Sequence, residues 1–94
     1  AFKLNFLYLK SNRINKIEED TFLNMKALFE LDLSQNFIGK LEEFTFKNLV
    51  RLKYLNLSSN LIKHIQKNLF RNLNLLVKLD LSSNQIVSID DFSF

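Results

Sequence analysis

His64 is the single histidine of a chain without cysteine, so nucleophilic chemistry would have to run through a serine and this one imidazole. A relay of that kind needs a hydroxyl and a carboxylate to converge on the ring. Ser58, Ser59, Ser82 and Ser83 fall on the opposite side of the chain's repeating pattern from His64, which sits between Ile62 and Ile65 and reads as an ordinary surface histidine. One glycine, Gly39, cannot build a phosphate-cradling loop. The absence of cysteine also excludes disulfides and thiolate metal sites within these residues. Carboxylates do recur, as Glu18, Glu19 and Asp20, then Glu42 and Glu43, then Asp90 and Asp91, with Gln66 and Lys67 standing in the third place. Such a ladder offers oxygen ligands to calcium, but it lacks the dense carboxylate loop of calcium sites. Lys16 and Lys40 precede Glu18 and Glu42 by two residues and partly neutralise it, so it reads as a solvated face. The expectation is no catalytic residue, no metal and no cofactor.

What positions these side chains is a unit of 24 residues. Its framework reads Leu4, Leu7, Leu9, Asn12, Ile14, Ile17, Phe22, Met25 in the first copy and Leu28, Leu31, Leu33, Asn36, Ile38, Leu41, Phe46, Leu49 in the second. The third reads Leu52, Leu55, Leu57, Asn60, Ile62, Ile65, Phe70, Leu73, and the fourth Leu76, Leu79, Leu81, Asn84, Ile86, Ile89, Phe94. No insertion interrupts the register, and a fixed period of this length decides the architecture. Repeats are therefore expected at 4–27, 28–51, 52–75 and 76–94, with Ala1, Phe2 and Lys3 as the tail of a preceding one. Both boundaries fall inside a unit, and a solenoid needs polar caps over its end layers. The chain is accordingly expected to be an uncapped interior segment of a longer array.

Composition agrees with a packed, soluble domain: 47% hydrophobic and 24% charged, with a net charge of +3 from thirteen basic and ten acidic residues. That charge is too mild and too mixed to point to nucleic acid. No apolar run approaches the roughly 18 residues of a membrane span, and no signal peptide is visible, so no membrane contact is expected from this segment. Zero prolines and one glycine are few for so many turns, which implies turns built mainly by asparagine.

Leu7 and Leu9, like their counterparts, alternate at period two and point to one side of a short strand. Stacked copies then form a parallel sheet with strands about 4.8 Å apart, and the isoleucines and phenylalanines close each coil behind it. Asn12, Asn36, Asn60 and Asn84 stand where the chain leaves the strand, and an amide there both donates to and accepts from backbone that would otherwise be buried unpaired. Phe22, Phe46, Phe70 and Phe94 read as a stacked aromatic spine.

These residues resemble the leucine-rich repeat superfamily over all 94 positions, and within it the 24-residue "typical" class of Toll-like receptor ectodomains and of extracellular adhesion and matrix proteins. The resemblance implies an α/β solenoid: a right-handed coil with a short parallel β-sheet on its concave face and irregular or 3-10 convex segments. Proline often follows the sixth framework residue in the family, whereas this chain has Glu18, Glu42, Gln66 and Asp90 there. The convex segments are thus expected to be more helical than usual.

Function is expected at the variable strand positions, which number five per copy and 20 in all, enough for one modest partner. Phe6 and Tyr8, Glu30 and Asp32, Tyr54 and Asn56, then Lys78 and Asp80 occupy the central places, with Phe29 and Lys53 flanking them. Aromatics pointing away from the core beside charges have the composition of an anchored recognition surface. Asn56-Leu57-Ser58 is also an acceptor triplet for N-glycosylation, which would obstruct the face around Tyr54. The resemblance implies an extracellular or cell-surface, non-catalytic module that binds a protein or other macromolecule on its concave face. Competing readings are an adhesion protein acting by self-association and, favoured by the missing cysteines, an intracellular scaffold; nucleic acid is the weakest.

Overall fold

A computed structural model describes residues 3–94; the expected tail of a preceding repeat therefore lies partly, at Ala1 and Phe2, outside the described residues. Four three-residue strands, β1 (Phe6–Tyr8), β2 (Glu30–Asp32), β3 (Tyr54–Asn56) and β5 (Lys78–Asp80), form one parallel sheet in the order β1-β2-β3-β5. Register follows the repeat: Leu7 lies opposite Leu31, Leu31 opposite Leu55, and Leu55 opposite Leu79. Because equivalent residues are neighbours, whatever side chain a repeat places at one position is added to a row crossing the whole sheet.

The core lies between this sheet and the convex returns. Leu31 and Leu55 are sealed at the centre, with Leu33, Ile38, Phe46, Leu57, Ile62 and Phe70 behind them. Phe22 and Phe46 stack with ring centroids 6.0 Å apart, Phe46 and Phe70 at 6.1 Å, and Phe70 and Phe94 at 5.3 Å. The spine is thus continuous through all four repeats. Leu69 joins the core from a place outside the framework; its counterparts are Thr21, Thr45 and Ser93.

Three details differ from expectation. The convex segments are chains of turns, not helix: Thr21 N–H donates to Glu18 C=O, Leu23 to Asp20, Met25 to Phe22, and Leu28 to Met25, each three residues back. Those 3-10-type bonds bend the chain around the aromatic spine without running together, and no helix occurs among the described residues. A second, two-stranded parallel sheet forms on the return side from β4 (His64–Ile65) and β6 (Ser88–Ile89). Lys63 and Val87 precede those strand residues, where the second repeat has Gly39 and the first Asn15, both poor in strands. Finally, asparagine does not itself make the sharp turn after each sheet strand. The residue before it does: Ser11, Gln35, Ser59 and Ser83 have φ of 60°, 53°, 56° and 55°. Side chains other than glycine are disfavoured there by about 1–2 kcal/mol, so the turn persists because the neighbouring asparagine holds it. No helix among the described residues is long and apolar enough to cross a membrane.

Candidate functional site

Asn36 shows how the turns are held. Its side-chain amide donates to the carbonyls of Leu9, Leu33 and Ser34 at 3.0 Å each, and its Oδ1 accepts the backbone N–H groups of Asn12 and Ile14 at 2.9 Å. Asn60 repeats this one layer on, donating to Leu33, Leu57 and Ser58 and accepting from Ile38. Asn84 donates to Leu57, Leu81 and Ser82 and accepts from Ile62. Each amide therefore binds its own turn and the turn of the preceding repeat. Asn12 is exposed and donates to Lys10 C=O at 3.2 Å. These contacts are structural, and they fix the strand ends from which the concave side chains project.

On that concave face the strand-centre leucines point inward, leaving their neighbours outward by the two-residue period of a strand. The nine outward residues singled out by sequence separate into two adjoining groups. The first is aromatic. Phe6 stacks on Tyr8 with centroids at 6.3 Å and meets Phe29 edge to face at 5.9 Å, and Phe29 meets Tyr54 the same way at 5.5 Å. Lys53 places its ammonium 5.3 Å from the Phe29 centroid, a cation–π contact that roofs one end of the cluster. Phe6, Tyr8 and Tyr54 stay 51%, 58% and 37% exposed, so this is surface and not core.

The second group is an open hollow of about 260 Å³ lined by Glu30, Asp32, Tyr54, Asn56, Lys78 and Asp80 over a floor of Leu31 and Leu55. Asp32, Asn56 and Asp80 lie side by side on β2, β3 and β5. Their Oδ1 atoms each accept a backbone N–H two residues on, from Ser34, Ser58 and Ser82 respectively, at 2.9, 2.9 and 3.0 Å. Spacing alone assigned these residues to recognition or glycosylation; the structure shows that each also caps its turn. The Ser82 hydroxyl adds a bond of 2.6 Å to Asp80, and hydrogen bonds from that hydroxyl and from the Ser82 backbone hold the Asp80 carboxyl below the usual range. Tyr8 is shifted the other way: partial desolvation, then hydrogen bonding and charge from Glu30, then the charge of Asp32 raise its phenol.

The convex side corrects the reading of His64. The parallel pairing of β4 with β6 sets Ser88 opposite it, so a serine and a carboxylate do meet the ring: the Ser88 hydroxyl lies against Nδ1, and Asp90 Oδ1 is 3.2 Å from Nε2. A serine and an aspartate spaced 24 and 26 residues from His64 were the available signal. His64 and Asp90 are 40% and 42% exposed, where water screens the contact, and the three side chains link repeats three and four. The acidic ladder pairs with the lysines that precede it, Lys16 with Glu18 at 3.7 Å and Lys40 with Glu42 at 3.9 Å.

A solenoid built of parallel single-strand layers, bound by an asparagine ladder and presenting a varied concave face, is the architecture of a repeat-based interaction module. The sequence profile described as "Leucine rich repeat" matches residues 2–44 and 30–86, and the chain belongs to that family. Among solved structures it is similar to the crystal structure of a TLR13–ssRNA13 complex, with 32% identity and a TM-score of 0.91 over 97% of this chain and 13% of that one. It is also similar to the leucine-rich repeat domain of APL1B, with 26% identity and a TM-score of 0.91 over 96% of this chain and 26% of that one. The chain thus spans about an eighth and a quarter of those two proteins. No curated protein matches it.

Proposed function

We propose that this chain is a stretch of an extracellular, receptor-type leucine-rich repeat array that recognises a protein through its concave face, without catalysis. The observation that carries this reading is the aromatic cluster on the sheet face, where Phe6, Tyr8 and Tyr54 stay exposed around a half-buried Phe29 and no core remains to be filled. Aromatic residues are enriched in protein interfaces, and tyrosine is among the types that recur at their energetic hot spots. The acceptor triplet Asn56-Leu57-Ser58 supports the extracellular part. The TLR13 structure contains ssRNA, but in this chain three carboxylates face the hollow and oppose a phosphate backbone.

Photo-crosslinking tests the reading, with a photoreactive residue in place of Tyr8 on the concave face or Lys63 on the return side. Adducts to protein from position 8 and none from position 63 are expected; adducts only from position 63, or none from either, overturn it. Intact mass before and after removal of N-glycans reports on Asn56; a glycan there would move the contact surface away from Tyr54.

A further inference from the structure

We infer that the partner contacts the concave face through an extended, arginine-bearing protein segment lying across the strands, its guanidinium groups on Asp32 and Asp80 and its apolar part on the ring cluster. This deepens the proposed function and rests on it. Although the chain carries a net charge of +3, the concave hollow holds three carboxylates, Glu30, Asp32 and Asp80, against one ammonium, Lys78. Among the described residues the lysine–carboxylate pairs are Lys16–Glu18 and Lys40–Glu42, and the one histidine lies against Asp90; none of the three concave carboxylates has a cationic partner within 4.0 Å. They are a negative surface waiting for positive charge, bordered by exposed rings.

Arginine fits this surface better than lysine. On Asp32 and Asp80 the turn occupies Oδ1, leaving Oδ2 to accept charge-assisted N–H bonds from a guanidinium, whose planar group can lie flat on the neighbouring Tyr54 ring. Strands β2 and β5 flank β3, so Asp32 and Asp80 are two strand spacings apart, roughly 10 Å. A polyproline-type segment brings residues i and i+3 to the same side about 9 Å apart. Arginines three residues apart in such a segment therefore meet both carboxylates at once.

The probe is the fluorescein-labelled peptide Pro-Arg-Pro-Pro-Arg-Pro, titrated with the protein at physiological ionic strength and followed by anisotropy. Saturable binding is expected, weakened at least tenfold by the double variant Asp32→Asn/Asp80→Asn and by Tyr54→Ser, and unchanged by Asp90→Asn/Asp91→Asn on the convex side. The asparagine variants keep the turn caps, as Asn56 does naturally, so an unchanged thermal melt separates lost binding from lost folding. Absence of saturable binding, equal loss on the convex variant, or preference for a single-stranded oligoribonucleotide over the peptide overturns the inference. Crosslinks from position 8 together with no peptide binding would leave concave recognition standing and remove only the arginine-bearing partner.

Discussion

Repeats two and four carry the same framework types at the same spacing, yet their burial differs throughout. Leu31, Leu33, Ile38 and Phe46 are at most 1% exposed, whereas Leu79, Leu81 and Ile86 are only partly buried and Ile89 and Phe94 are 56% and 66% exposed. A layer in this architecture is buried by its neighbours and not by itself, so residue type determines what a position can do and the adjoining repeat determines how much it contributes. The hydrogen bonds tell the same story. Asn36 bonds turns on two layers, while among the described residues the exposed Asn12 has only the carbonyl of Lys10 as an acceptor for its side chain.

The largest test of this contrast is truncation of the spine. Phe46→Ala, between Phe22 and Phe70 with no exposed surface, should lower stability by about 3–5 kcal/mol in urea denaturation. In this 94-residue chain, where Phe94 is two-thirds exposed in the last layer, Phe94→Ala should cost less than about 1 kcal/mol. Equal losses would break the comparison.

Next comes the ladder. Asn36→Leu should cost about 1–3 kcal/mol, since the Asn12 and Ile14 N–H groups lose their acceptor and three carbonyls lose a donor. Asn12→Leu should stay within about 0.5 kcal/mol. The two melts measured side by side decide whether the second layer's partners account for the difference.

A gain is expected at Thr45, whose hydroxyl is buried without a hydrogen-bond partner among the described residues. Replacing it by the similarly shaped valine removes that unpaired group, and Thr45→Val should raise stability by about 1 kcal/mol. Leu69, buried at the equivalent place of the third repeat, already shows that an apolar side chain fits.

The smallest effect concerns pH and separates Asp80 from Asn56. The Asp80 carboxyl is lowered in the folded state, so its contribution is complete above the ordinary carboxylate pKa and is lost as pH falls through the lowered folded value. Asp80→Asn keeps the bond from Ser82 but removes that titration. The stability difference between wild type and variant should therefore shrink or change sign on acidification; a pH-independent difference would assign no role to the charge.

The leucine and phenylalanine periodicity determined the number of layers, the strand at each copy, the residues facing inward and the four asparagines at the turns. Local period and side-chain polarity are enough for that, because every layer solves the same packing problem as the one before. They also brought Phe6, Tyr8, Phe29 and Tyr54 to one face, since parallel in-register pairing turns a repeat position into a row. Tertiary structure alone decided the rest. Whether β4 and β6 pair depended on two neighbouring returns being extended together, and that pairing delivered Ser88 and Asp90 to His64. Asp32 and Asp80 acquired a second duty as turn caps because the backbone curls back at the strand end, a fact about three-dimensional direction that residue spacing does not contain. The left-handed turn fell on Ser11, Gln35, Ser59 and Ser83 because each following asparagine is held by its hydrogen bonds, leaving the residue before it to absorb the bend.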